Sequence, residues 1–94
     1  MRLYPDEKLA LDKALENVHD EVYLFGSRVD DTKKGGDIDI LIYSEKNSLK
    51  LSQEVSICFL MELDSKLDVI VFDKNNMTKE QKAFVNTLDM VRIK

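Results

Sequence analysis

A chain of 94 residues has material for one modest hydrophobic core and not for a second. With 44% apolar and 34% charged residues, it has the make-up of a folded soluble domain, which excludes a disordered segment. A net charge of −4 spread along the chain argues against broad nucleic-acid binding, and no apolar run approaches the roughly 20 residues that span a bilayer. The opening Met1-Arg2-Leu3-Tyr4-Pro5-Asp6-Glu7 lacks the charged-then-apolar layout of a signal peptide, so a cytoplasmic location is the default expectation. The lone Cys58 has no partner for an internal disulfide, and its neighbours Ile57 and Phe59 predict a buried thiol.

From Pro5 to about His19 the pattern predicts a helix, with proline in the first turn and Asp6-Glu7 at its positive end. Leu11, Ala14, Leu15 and Val18 recur at i, i+3, i+4 and i+7 and form its buried stripe. His19, the only histidine, reads as an exposed helix terminus. Residues 21–25 form a short strand that Gly26 ends, and Ser27 is placed to cap a short helical turn running toward Asp31. Thr32-Lys33-Lys34-Gly35-Gly36 is a loop. Asp37 to Tyr43 is a second strand, apolar enough to be covered on both faces. Ser48 to about Lys66 predicts a helix with Val55, Phe59 and Leu63 on one side and Leu51 and Cys58 adjoining. A third strand of the same buried type spans residues 67–72, and a turn follows at residues 73–76. Thr78 and Gln81 have capping-box spacing for a last helix holding Phe84, Val85 and Leu88, and residues 90–93 make a terminal strand fragment. The order predicts a single α/β (α+β) domain over residues 1–94, a sheet with helices packed against it.

Within that order, Asp37-Ile38-Asp39 opens an apolar strand, so its two carboxylates point to one face. Like charges so close repel unless solvent or a cation takes up the charge. Magnesium, which favours carboxylate and phosphate oxygens, is the natural partner. Upstream, Gly26-Ser27 offers a closely approaching backbone, a hydroxyl and N–H groups at a helix start, which suit a triphosphate. Taken singly, these features also fit a solvated strand entrance and an ordinary turn.

Gly26-Ser27, a spacer, Asp37-x-Asp39 and a strand-borne Asp68 together resemble the minimal nucleotidyltransferases of the DNA polymerase β superfamily, from about Leu9 to Ile93. The spacer, residues 28–36, is about one residue shorter than in the bacterial antitoxin branch, and Gly36 stands where a serine often precedes the first aspartate. The resemblance implies a small mixed sheet with helices on one side. It implies that Asp37, Asp39 and Asp68 are the catalytic residues and the ligands of two Mg²⁺ ions, with ATP as substrate. Asp68 would also accept or guide the proton of an acceptor hydroxyl. Gly26, Ser27 and Arg28 are the candidate nucleotide-binding residues. Arg28 is equally suited to a phosphate or to a surface ion pair with Asp30 or Asp31. Lys33 and Lys34 suit either the phosphates or plain solvent.

Small members of this group are commonly encoded beside a HEPN-family ribonuclease toxin and silence it by adding AMP to a tyrosine. A HEPN toxin is therefore the implied partner and an antitoxin with protein adenylyltransferase activity the implied role. The alternatives are a small-molecule, antibiotic-type nucleotidyltransferase and a non-catalytic binding antitoxin with a vestigial site. Tyr4, Tyr23, Tyr43 and Met61 are available to an interface, and an oligomer is compatible with the sequence.

Overall fold

The computed structural model describes residues 1–30, 32 and 36–94. Its elements are α1 (Pro5–Ala14), β1 (Glu21–Phe25), a single 3₁₀ turn (Gly26–Val29), β2 (Ile38–Tyr43), α2 (Ser48–Leu63), β3 (Leu67–Phe72), α3 (Lys79–Asn86) and β4 (Val91–Arg92). The strands form one mixed sheet in the order β3-β2-β1-β4. β1 runs antiparallel to β2 and β4, and β2 runs parallel to β3 through the α2 crossover. This is the sheet with packed helices that the element order predicts, in the small mixed form that the resemblance implies.

The alternation of each strand sorts its side chains cleanly. Val22, Leu24, Ile38, Ile40, Ile42, Leu67 and Val71 point to one face and join Leu11, Leu15, Leu51, Val55 and Phe59 of the helical layer in a single core. Phe25, Asp39, Leu41, Asp68 and Phe72 lie on the other face by the same alternation. There Phe84 of α3 meets Phe25 and Phe72 edge-on, with ring centroids 6.3 and 6.4 Å apart. The helices therefore do not share one side, as the resemblance implied: α1 and α2 cover one face and α3 borders the other. No residue of α3 is buried, so this second layer is thin.

Helix boundaries follow their caps. α1 stops at Ala14, short of the predicted His19, because the Leu15 carbonyl accepts from Val18 N and from Lys94 Nζ, and the chain turns there. Leu15 and Val18 nevertheless stay buried, and His19 is exposed. α2 begins where Asn47 Oδ1 accepts from Lys50 N at 2.9 Å and ends at Asp64, which adopts the left-handed conformation (φ 53°). The Thr78–Gln81 capping box forms as predicted, with reciprocal bonds of 3.0 and 3.1 Å. Ser27 lies inside the 3₁₀ turn and does not cap it, since Phe25 holds the capping position. Cys58 is half-buried against the core and not enclosed.

β3 also departs from expectation. Its composition suggests a strand covered on both sides, yet it is the edge of the sheet, with Val69 and Ile70 half-exposed. β2 takes the central place instead, its Ile40, Leu41 and Ile42 wholly buried. No helix among the described residues is long and apolar enough to cross a membrane.

Phe59 is the largest fully buried side chain. Phe59→Ala should destabilise the domain by about 3–5 kcal/mol through lost burial and a residual cavity, measurable by urea unfolding.

Candidate active site

The site is assembled by strand register. Phe25 of β1 faces Asp39 of β2, and Asp39 faces Asp68 of β3, so one row across the sheet brings the two carboxylates side by side. Gly26, one residue past Phe25, lies directly over Asp39. A Cβ on Gly26 would stand 2.5 Å from Asp39 Oδ2, and the residue has φ +79°, so only glycine fits. Gly36 is under the same constraint at the other end of the spacer: φ is +87° and a Cβ would collide with Ser27 Oγ. A serine at position 36 would clash with the hydroxyl of Ser27, which explains the glycine at this point of departure from the related pattern. Gly26, Ser27, Gly36 and Asp39 thus form one close-packed knot.

Asp39 is half-buried, and its carboxyl is held above the usual carboxylate range by burial, then by the neighbouring Asp68 and by Asp37, with Lys66 opposing. Lys66 Nζ lies 3.3 Å from Asp68 Oδ1 and offsets part of the local negative charge. Asp37 is exposed and sits one residue before β2. It is close enough to act on Asp39 electrostatically. Among the described residues, no three His, Cys, Asp or Glu side chains are gathered tightly enough to hold a metal ion. The structure brings Asp39 and Asp68 together, then, and leaves Asp37 outside that pair. The donors are all carboxylate oxygens and Lys66 compensates the pair's charge only in part, which suits a hard cation such as Mg²⁺.

Arg28 is a buried residue and not a surface side chain. It is 6% exposed. Its Nη1 and Nη2 donate to Glu7 Oε1 and Oε2 at 2.6 and 2.7 Å, Nη1 also donates to the Arg2 carbonyl, and Nε donates to the Gly36 carbonyl at 3.0 Å. With four donor bonds made inside the protein, this guanidinium acts as a strut within the domain. It fastens α1 to the residue immediately before Asp37. Glu7 Oε1 also accepts from Tyr4 N at 3.0 Å. The bond to Arg28 holds the Glu7 carboxyl below its ordinary range, and Glu7 in turn raises Arg28. Asp30 Oδ1 accepts from the N–H and hydroxyl of Thr32. Lys33 and Lys34, together with Asp31 and Gly35, lie outside the described residues.

Sequence reasoning missed Glu7 and Lys66. The signal for Glu7 was a buried-face position in the first turn of α1. The signal for Lys66 was only its place two residues before Asp68.

In a comparison with family models, residues 8–92 match the nucleotidyltransferase domain. The chain belongs to that family, of the polymerase β type. No curated protein matches it. Membership makes the chain a transferase of nucleotidyl groups and accords with the mixed α+β sheet.

Three outcomes test the geometry of this nucleotidyltransferase site. Glu7→Gln should cost about 3 kcal/mol by leaving a buried guanidinium partly unpaired, while Glu7→Met with Arg28→Met should recover most of the loss. Because the Glu7 carboxyl is depressed in the folded state, its contribution is present above the unfolded value of about 4.5 and is lost as pH falls through the folded value. Urea unfolding of the wild type and Glu7→Gln should therefore converge as the pH is taken down from about 4.5. Gly36→Ala should destabilise by about 2 kcal/mol from positive φ and the collision with Ser27, and adding Ser27→Ala should return part of it.

Proposed function

We propose that this chain is a magnesium-dependent adenylyltransferase that moves AMP from ATP to a hydroxyl, the acceptor being a tyrosine of a HEPN-family toxin, so that the chain acts as an antitoxin. The observation that carries the reading is the side-by-side placement of Asp39 and Asp68 under Gly26, the arrangement that family membership and the Asp-x-Asp pattern jointly call for.

In this reading Asp37 and Asp39 would hold an ion on the triphosphate, and Asp39 and Asp68 one beside the acceptor. When bound, magnesium supplies neutralisation of the charge that builds on the attacking and leaving oxygens. Gly26 lets the backbone approach the phosphates, and Ser27 offers its hydroxyl and the N–H groups of the turn. Asp68 guides the acceptor proton away as the new oxygen–α-phosphorus bond forms. The bond from the α-phosphorus to the bridging oxygen breaks, and pyrophosphate leaves. Arg28 and Glu7 keep Gly36 in place and so position Asp37.

Access supports a protein acceptor. Asp37 is exposed and the Asp68 side chain is 40% exposed, so a hydroxyl carried on a macromolecular surface can reach them. The HEPN assignment rests on the resemblance of the whole pattern to the antitoxin branch.

The test incubates the chain with Mg²⁺, α-phosphate-labelled ATP and a cell lysate of the source, with an Asp37→Ala, Asp39→Ala variant alongside. A labelled protein band that disappears with the variant is expected, and its identification as a HEPN protein modified on tyrosine would complete the reading. Pyrophosphate release only with small acceptors would replace it by the antibiotic-type activity. No transfer at all, with toxin neutralisation kept by the double variant, would leave a binding antitoxin.

A further inference from the structure

The described surface has an apolar element that the nucleotidyl-transfer chemistry does not use: the outer edge of β3 with the flank of α2 beside it. β2 is the only strand that pairs with β3 among the described residues. The strand is Leu-Asp-Val-Ile-Val-Phe, with no proline and a single charge. Sheet edges are ordinarily guarded by prolines, bulges or several charges, because an open row of N–H and C=O groups templates another strand. This edge lacks those guards.

The neighbouring helix extends the same surface. Ser56, Ile57 and Leu60 of α2 line a concavity of about 340 Å³ with Lys66, Leu67 and Asp68, so this flank of the helix overhangs the start of β3. At about 100° per residue, the flank carries Leu49, Ser52, Ser56 and Leu60. Leu49 is 66% exposed and Leu60 47% exposed, a high cost for two leucines unless something covers them. The helix is about 24 Å long and the strand about 20 Å, and α2 enters β3 through only residues 64–66, so their midpoints lie level.

We propose that this surface pairs with a second copy of the chain, β3 against β3 in antiparallel sense, giving one continuous eight-stranded sheet. Self-complementarity favours this occupant. A two-fold axis through the middle of β3 sets Leu49 of one α2 against Leu60 of the other, with the small Ser52 and Ser56 at the centre, where the helices come closest. An isolated extended peptide would satisfy the strand edge but leave Leu49 and Leu60 in water, whereas a second copy brings its own helix to the same side. The same axis keeps the two acidic rows apart. With the pairing centred on Val69 or Ile70, Asp68 lies across from Ile70 or Phe72 of the second copy, not from another carboxylate. Asp68 and Asp39 project from the sheet face and not from its edge, so the pairing leaves them open and gives Asp68 an apolar neighbour.

Sedimentation equilibrium over a wide concentration range, with hydrogen exchange of residues 67–72, tests this. The wild type should show a monomer–dimer equilibrium, with β3 amides protected only as the dimer forms. Leu49→Glu and Leu60→Lys, both at exposed positions, should each weaken association about tenfold or more. Combining the two substitutions should recover it, because the carboxylate introduced on one copy would then meet the ammonium introduced on the other. A monomer at every concentration, a dimer indifferent to both single variants, or a double variant no better than either single one would overturn the proposal. So would β3 protection that appears only on adding another protein, which would assign the edge to that partner.

Discussion

The buried pair between Glu7 and Arg28 organises the domain around its site. Isolated ions resist removal from water, and a buried pair stays favourable only with near-ideal geometry and its remaining hydrogen-bonding groups satisfied. Both conditions hold: the pair is bidentate, the spare Arg28 donors reach the carbonyls of Arg2 and Gly36, and Tyr4 N adds a donor to Glu7. One interaction thus ties the first helix, the 3₁₀ turn and the entry to β2. Such a pair adds modest net stability compared with an apolar replacement. It adds directional constraint, and that constraint falls on the residue preceding Asp37.

The opposite electrostatic arrangement stands a short distance away. Asp39 and Asp68 are neighbours by strand register, and Asp39 is half-buried with its carboxyl raised by burial and by that company. A sheet optimised for stability alone would place one cation between them. Here Lys66 reaches Asp68 from the rim, 71% exposed, and compensates only in part. Local repulsion retained beside a well-satisfied ion pair is typical of a site held in tension by its surroundings.

Much of this was legible in the chain. Asp37-Ile38-Asp39, Gly26 and Asp68 stand out because each carries a local contradiction, charge or a missing side chain inside an apolar run, and the element order followed from periodicity. The rest depended on distances in space. Arg28 and Glu7 are 21 residues apart, and nothing near Arg28 favours Glu7 over the adjacent Asp30 and Asp31. The apolar run of β3 resembles that of β2, so composition could not tell the edge strand from the central one. α3 has the right cap and period, but the face it borders is fixed by where Phe25 and Phe72 lie in the sheet. Asp37 shows the limit in the other direction: the i, i+2 spacing aligns it with Asp39, while its place one residue before β2 leaves it exposed.

The two anchored ends of the spacer have a consequence for how this loop can change. Ser27 is locked against Gly36, and Gly36 is held by Arg28, so the stretch between them closes a loop whose ends are already fixed. Closing a longer loop between fixed ends costs little, about 0.6 kcal/mol for each doubling of length. Insertions there should therefore leave Asp37 where it is. That makes the spacer a practical position for grafting a reporter segment into the domain.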